Sequence, residues 1–111
     1  MTKNGFLIIE NKDKINRIKI DTISHIICED YLLTIVKTDN SHLYCCKSLS
    51  SFEVELTKND FFRVSRNTLV NLRYVVTFYK KPKPIIQMTN KKEISVSRRR
   101  VNDFVKKYKL L

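Results

Sequence analysis

The chain of 111 residues is 42% hydrophobic and 30% charged, proportions typical of one folded domain, here residues 1–111. No apolar run approaches the roughly 20 residues of a membrane-spanning helix, and the N-terminus lacks the cleavage site of a secretory signal. We therefore expect a cytoplasmic protein without membrane contact, and its formal net charge of +11 favours an acidic partner.

Short β-branched segments make up most of the chain. It contains twelve Ile, nine Val and eight Thr residues and no Ala, which favours strands over helices. Turn-type clusters separate several segments at Asn11–Lys14, Thr38–Ser41 and Thr89–Lys92. Strands are predicted at Phe6–Glu10, Ile15–Ile20, Ile23–Cys28, Tyr31–Thr38, His42–Lys47, Val75–Tyr79, Ile85–Met88 and Glu93–Val96. The pattern indicates an all-β fold of short, mostly antiparallel strands.

One segment in the middle of the chain has helical periodicity. Apolar residues recur at helical intervals between Leu49 and Leu56, which predicts a short helix that ends near Asn59. Ser50 is followed three residues later by Glu53, and this spacing matches a capping box at the start of a helix. We expect this helix to connect two groups of strands.

A second helix is predicted at the C-terminus. Val101, Phe104, Val105 and Tyr108 lie at positions i, i+3, i+4 and i+7, so they share one face of a helix. Ser97 is a residue type that commonly caps a helix N-terminus. The chain is therefore predicted to end in an amphipathic helix with one apolar face.

The residues required by catalytic and metal sites are scarce. Gly5 is the only glycine, which excludes a Gly-rich phosphate loop. Cys28, Cys45 and Cys46 form no Cys-x-x-Cys pair and have no histidine at the spacing of a zinc site. We expect no enzyme, no catalytic residue, no metal and no cofactor. Cys28 fits a small buried side chain, with a redox role as the alternative.

Positive charge is concentrated in the C-terminal half. Residues 1–60 carry eight basic and nine acidic side chains, a net charge of −1. Residues 61–111 carry fourteen basic and two acidic side chains, a net charge of +12. Such a block favours a nucleic-acid partner. A basic protein with no specific partner and a protein-interaction module are the alternatives.

The first candidate site lies in the segment Phe61–Asn71. Phe62 and Val64 point to one side of an extended stretch, and Arg66 and Asn67 follow where the chain can turn. A guanidinium fork and an amide on a turn can read guanine and adenine edges in a major groove. A structural polar corner, in which the amide satisfies the turn backbone, is an equally good interpretation.

The second candidate site is the basic run Arg98–Arg100. If the last helix begins at Ser97, three arginines occupy its first turn, where the helix dipole disfavours cations. An incoming phosphate would relieve this repulsion and bind the free N–H groups. We expect Arg63, Arg99 and Arg100 to neutralise phosphates. A solvated basic run without a ligand is the alternative.

These two segments carry a family resemblance. Phe-x-Arg-Val-Ser-Arg-Asn-Thr-Leu-Val-Asn, which ends at Asn71, resembles the signature Phe-x-Arg-Ile-His-Arg-Ser-Tyr-Ile-Val-Asn of bacterial LytTR DNA-binding domains. Glu93–Arg99 is similar to the closing Pro-Val-Ser-Arg-Arg segment of that family. Upstream, Ile23–Glu29 resembles a family strand and Ser48–Leu56 resembles the short helix. The resemblance covers nearly the whole chain in the right order.

The resemblance implies an elongated all-β fold with one short connecting helix and a C-terminal helix, whose loops enter major grooves of double-stranded DNA. It implies base reading by Arg66, Arg98 and Tyr31, with Tyr31 in a shortened loop. The DNA-binding positions that it implies are Tyr31, Ser65, Arg66, Asn67, Arg98 and Arg99. Ser65 and Asn67 replace the usual His and Ser of the family, so we expect the DNA sequence recognised to differ from that of relatives.

The resemblance also implies a biological setting. LytTR domains are usually the effector domains of response regulators in bacterial two-component systems, where they bind promoters or operators and regulate transcription. A receiver or sensor domain is then expected in the full-length protein, and binding to paired half-sites would involve a dimer. The alternative function is an RNA-binding module, since basic β-sheet domains also bind RNA.

Overall fold

The computed structural model describes residues 2–3 and 5–111, in which short strands are joined by tight turns. The strands are β1 (Thr2–Lys3), β2 (Phe6–Glu10), β3 (Ile15–Lys19), β4 (Ile23–Glu29), β5 (Leu32–Lys37), β6 (His42–Cys45), β7 (Phe61–Ser65), β8 (Thr68–Asn71), β9 (Val75–Tyr79), β10 (Ile85–Met88) and β11 (Glu93–Ser95). The helices are α1 (Leu49–Leu56) and α2 (Val101–Lys109). Short 3-10 turns occupy Ile20–Thr22, Thr57–Asn59, Leu72–Tyr74 and Arg98–Arg100.

Within the described residues, the strands form three antiparallel sheets. The central sheet has the order β6-β5-β4-β8-β7, so β4 pairs with a strand that lies about forty residues later in the chain. The N-terminal sheet is β1-β2-β3, and the C-terminal sheet is β11-β10-β9. The molecule extends over 45 × 29 × 24 Å. The predicted elongated all-β class with two short helices is confirmed.

The central sheet separates two apolar cores in the described part of the chain. Leu69 and Val70 of β8 are both fully buried but belong to different cores, because successive residues of a strand point to opposite faces. The first core includes Phe52 of α1 and residues of the N-terminal sheet. The second includes Phe104 of α2, whose ring lies 5.9 Å from that of Phe62. Both predicted helices therefore pack through their apolar faces.

A buried amide joins β8 to β4. Asn71 is 1% exposed, and its Nδ2 donates to the carbonyl oxygen of Ile23 at 3.0 Å. Its Oδ1 accepts from the backbone N–H of Arg73 at 3.1 Å. Each such bond contributes about 1 kcal/mol net, and an unpaired buried amide would cost more. The last residue of the Phe61–Asn71 signature thus stabilises the fold rather than presenting a surface group.

Helix α1 begins at a different cap from the one predicted. Ser48 is the N-cap, and its Oγ accepts from the backbone N–H of Ser51 at 3.2 Å. The predicted capping box of Ser50 and Glu53 is wrong, because the helix already begins at Leu49 and Ser50 lies inside its first turn; both side chains accept hydrogen bonds from Arg63 instead. An arginine on a neighbouring strand competes for these groups, and sequence spacing alone does not reveal it.

Helix α2 also starts differently. Ser97 has the extended backbone of an N-cap, but its side chain makes no capping hydrogen bond within the described residues. Its carbonyl oxygen instead accepts from the N–H of Arg100 at 2.9 Å, which closes a 3-10 turn before α2 begins at Val101. Asp103 lies in the first turn of α2, where it compensates the helix dipole.

Several strand ends are shifted by tight turns. The predicted strand Tyr31–Thr38 begins at Leu32. Tyr31 lies in the turn between β4 and β5, as the loop implied by the family resemblance requires, and Asp30 and Tyr31 have φ angles of 50° and 68°. Two successive positive φ angles are the requirement of a type I′ hairpin turn. The predicted strands ending at Ile20 and Lys47 stop at Lys19 and Cys45, because a 3-10 turn and the approach to α1 follow them.

Candidate nucleic-acid interface

Two hairpin turns lie side by side at one end of the central sheet. Asp30–Tyr31 joins β4 to β5, and Arg66–Asn67 joins β7 to β8. Because β4 and β8 are antiparallel neighbours, the end of β4 meets the start of β8. The N–H of Cys28 donates to the carbonyl oxygen of Asn67 at 2.8 Å, which fixes one turn against the other. We call this end, defined by the two turns, the turn end of the sheet.

The turn end presents exposed side chains above an open cleft. Tyr31 is 93% exposed, although large aromatic residues usually bury much of their surface, and Arg66 and Asn67 are exposed beside it. All three line a cleft of about 670 Å³ together with Lys47 and Arg63. The exposed groups at the cleft combine an aromatic ring, a guanidinium group and an amide. These groups suit the stacking and hydrogen bonding of nucleic-acid recognition.

Hydrogen bonds within the turn set how Asn67 can meet a ligand. Its Oδ1 accepts from the hydroxyl of Ser65 at 2.8 Å and from the hydroxyl of Thr68 at 3.1 Å. Since these bonds occupy both lone pairs of the oxygen, Asn67 would contact a ligand through its amide nitrogen, a donor. The half-buried Ser65 orients this amide, so the two residues act as one unit.

The Arg63 side chain points into the molecule, so the structure does not favour the phosphate contact that we predicted for it. Its side chain is only 15% exposed, and its Nη1 forms an ion pair with Glu53 at 3.1 Å. Its Nε donates to the carbonyl oxygen of Ser65 at 3.2 Å, and its Nη2 donates to that of Arg66. With its N–H groups engaged inside the molecule, Arg63 is a support of the turn and not a free cation.

The second basic segment lies against β7. The N–H of Ser97 donates to the carbonyl oxygen of Val64 at 2.8 Å, which places this segment near the end of the strand that leads into the Arg66 turn. Arg98 and Arg99 follow at once, and both are exposed. The structure therefore brings the two candidate sites to neighbouring positions, although about thirty residues separate them in sequence.

The arginines of this segment face different surroundings. Arg98 lines a cleft of about 660 Å³ together with Lys80 and Lys106. Arg100 is half-buried on another side, where its Nη1 donates to the carbonyl oxygen of Arg63 at 3.3 Å, so the phosphate contact predicted for it is not favoured. The lysines near Arg98 were missed in the sequence because they are 26 residues apart, and only their membership of the basic half pointed to them.

Residues 13–109 match the family described as the LytTr DNA-binding domain. The chain belongs to the LytTR family. The match spans both candidate sites and confirms the resemblance seen in the Phe61–Asn71 and Glu93–Arg99 segments. LytTR domains are DNA-binding domains and not a class of enzymes.

A solved structure shares the fold of this LytTR domain. It is the LytTr DNA-binding domain of a protein described as a methyl-accepting/DNA response regulator from Bacillus cereus. The sequences are 19% identical, and the superposition covers 95% of this chain and 97% of that chain with a TM-score of 0.80. The search of curated proteins returned no significant match.

The cysteines and the possible metal ligands among the described residues add no further site to the turn end. Cys28 and Cys45 are half-buried against the first core, and burial raises the pKa of the Cys45 thiol. All three cysteines are free. Among the residues that the structure describes, no three His, Cys, Asp or Glu side chains cluster as metal ligands. No helix there is long and apolar enough to cross a bilayer.

Proposed function

We propose that this LytTR domain recognises a specific duplex DNA sequence and serves as the effector domain of a bacterial response regulator in a two-component system. The juxtaposition of Arg66, Asn67 and Tyr31 at the turn end, with Arg98 held beside the same strand, carries the proposal. Arginine contacts guanine edges, so Arg66 and Arg98 can distinguish base pairs. Such a regulator acts on promoter DNA in the cytoplasm, and a receiver or sensor domain of the full-length protein controls it.

The proposed roles follow from exposure and surroundings. Arg66 and Arg98 read bases because both are exposed and lie on a turn or at the start of a helical segment. Tyr31 reads a third position from the neighbouring turn. Asn67 and Arg99 contact the sugar–phosphate backbone. Ser65 contributes to this backbone contact because its hydroxyl donates a hydrogen bond to Asn67. Phosphate contacts of this kind fix register, whereas base contacts select sequence.

Selection of binding sites from random duplex DNA tests the proposal directly. We expect enrichment of one sequence motif, in which each position read by an arginine favours guanine. Two copies of the motif at a fixed spacing of about one helical turn would support binding as a dimer to paired half-sites. Failure to enrich any motif, with the folded domain present, would contradict sequence-specific recognition.

Affinity for the selected site is expected to fall steeply with salt. Each phosphate contacted contributes about 0.9 log unit of affinity per decade of salt concentration, because binding releases a counterion. The contacts that we expect come from Arg99 together with Lys80 and Lys106, which flank Arg98. Titrations by fluorescence anisotropy at several salt concentrations measure the slope. Lys12→Gln in the exposed turn after β2 is the matched control and should leave it unchanged. A flat salt dependence would contradict DNA binding.

Substitution of the arginines should separate base reading from phosphate contact. Arg66→Ala and Arg98→Ala are each expected to cost about 1–3 kcal/mol against the selected site and to relax preference at one base pair. Arg99→Ala should weaken all sequences alike and lower the salt slope by one contact. Titration against the site and its single-base variants measures both effects.

Thermal melts accompany these arginine titrations. Exposed arginines rarely change stability by more than about 0.5 kcal/mol, so each variant should keep the wild-type melting temperature closely. Uniform loss of affinity across all base variants would show that Arg66 and Arg98 do not read bases. A large fall in melting temperature would assign them a structural role.

A further inference from the structure

We propose that Arg63 is a positioning residue that sets base selectivity without touching DNA. It would hold the Arg66–Asn67 turn in one conformation and fix that turn relative to Arg98. The inference rests on the proposed function, since it concerns the selectivity of the same site. It departs from the sequence-based expectation that Arg63 neutralises a phosphate.

The guanidinium group of Arg63 bridges the turn and helix α1. On one side, Nε and Nη2 donate to the carbonyl oxygens of Ser65 and Arg66, the residues that open the turn. On the other side, Nη1 donates to Oε1 of Glu53 at 3.1 Å and to Oγ of Ser50 at 3.2 Å. The turn is thereby attached to a packed helix through one rigid planar group.

The position of the side chain makes these bonds effective. The Arg63 side chain is 15% exposed and that of Glu53 is 39% exposed, so water weakens this charge-assisted bond less than a bond between two fully exposed groups. Only arginine offers several donors in a fixed fork, whereas lysine offers a single flexible ammonium group. The geometry of the Arg66 backbone therefore depends on the shape of the group at position 63 as well as on its charge.

The backbone of the same strand segment also holds the second basic element. The carbonyl oxygen of Arg63 accepts from Nη1 of Arg100 at 3.3 Å, and that of Val64 accepts from the N–H of Ser97 at 2.8 Å. Arg98 follows Ser97 directly. Residues 63 and 64 thus fix the distance between Arg66 and Arg98, the two proposed base-reading arginines. That distance determines which base edges the two side chains can reach together.

Arg63→Lys tests the inference because it keeps the charge and removes the fork. We expect preference for the selected site over single-base variants to fall about tenfold, at the same base pair that Arg66→Ala affects. Affinity for random duplex and the salt slope should remain as in the wild type. Arg73→Lys is the matched control, since Arg73 pairs with Asp60 at 2.7 Å at the opposite end of the β7–β8 hairpin.

Two further measurements keep the test decisive. Glu53→Gln keeps Arg63 but removes its ion pair, so it should lower preference at the same base pair even if Arg63→Lys does not fold. Without DNA, amide hydrogen exchange of Cys28 should rise in both variants and stay unchanged in Arg73→Lys, because its N–H is bonded to Asn67 of the turn.

The results distinguish the inference from the proposed function. Equal loss on all duplexes, with base preference kept, would identify Arg63 as a phosphate contact, and unchanged affinity and base preference would show that the turn needs no support. Either result would overturn the inference. If the wild type selects no DNA sequence, the proposed function fails, while Cys28 exchange still reports whether Arg63 holds the turn.

Discussion

Duplex DNA that carries the selected site should outcompete single-stranded RNA of equal length by about 10³-fold, the low end of the ratio between specific and nonspecific binding. RNA-binding sheets stack bases on aromatic side chains that share one face. The exposed tyrosines of the described residues do not form such a common face. Tyr31 lies in a turn, Tyr44 on β6 of the central sheet and Tyr79 on β9 of the C-terminal sheet.

Competition against a labelled duplex measures this ratio. The unlabelled competitors are the selected duplex, a scrambled duplex and single-stranded RNA, all at one salt concentration because affinity depends on salt. The scrambled duplex serves as the control for charge alone. Equal competition by RNA and by the selected duplex would contradict duplex recognition and favour an RNA-binding module.

The free energy of unfolding should fall by about 3 kcal/mol as the pH is lowered from about 6.5 to about 4, because of His25. His25 is 3% exposed in β4, and its Nδ1 lies 3.0 Å from the hydroxyl of Ser24. Burial, with smaller effects of the charges on Lys92 and His42, lowers the pKa of His25 from 6.5 to about 4. The folded state therefore keeps the ring neutral.

The sign follows from the two states. Below pH 6.5 the unfolded chain binds a proton at His25, whereas the folded protein binds it only below about pH 4. Acid therefore favours the unfolded state. Urea denaturation across this pH range measures the slope. His25→Gln should flatten it, whereas His42→Gln should retain most of it, because the charge on this exposed histidine is only the smallest cause of the lowered pKa of His25. An unchanged slope in His25→Gln would assign the acid sensitivity to other groups.

Local patterns in the sequence determined most of the secondary structure. The turn clusters at Asn11–Lys14, Thr38–Ser41 and Thr89–Lys92 all connect strands. Side chains in them accept hydrogen bonds from nearby backbone N–H groups, and the backbones of Asn40 and Lys91 adopt positive φ angles. The amphipathic pattern of the C-terminal segment likewise determined the apolar face of α2. These features depend on residues only a few positions apart, so they can be read without knowledge of the fold.

The candidate residues were also named from the sequence, but chiefly through the family signature. Composition and spacing left a polar corner at Arg66 and Asn67 as good an interpretation as a DNA contact. The match over residues 13–109 confirms the family, and the individual DNA contacts stay predictions. A signature identifies positions that relatives share, and it does not show what each side chain touches in this chain.

Only the tertiary structure decided which residues share a surface and which are held inside. Pairing of β4 with β8 places Tyr31 beside Arg66 and Asn67, and the bond from Ser97 to Val64 brings Arg98 near them. Arg63 belongs to the same signature, yet its side chain points into the molecule, where it forms an ion pair with Glu53 of α1. Long-range pairing and burial depend on neighbours that are distant in sequence, so no local pattern could distinguish the arginine that supports the turn from those that face solvent.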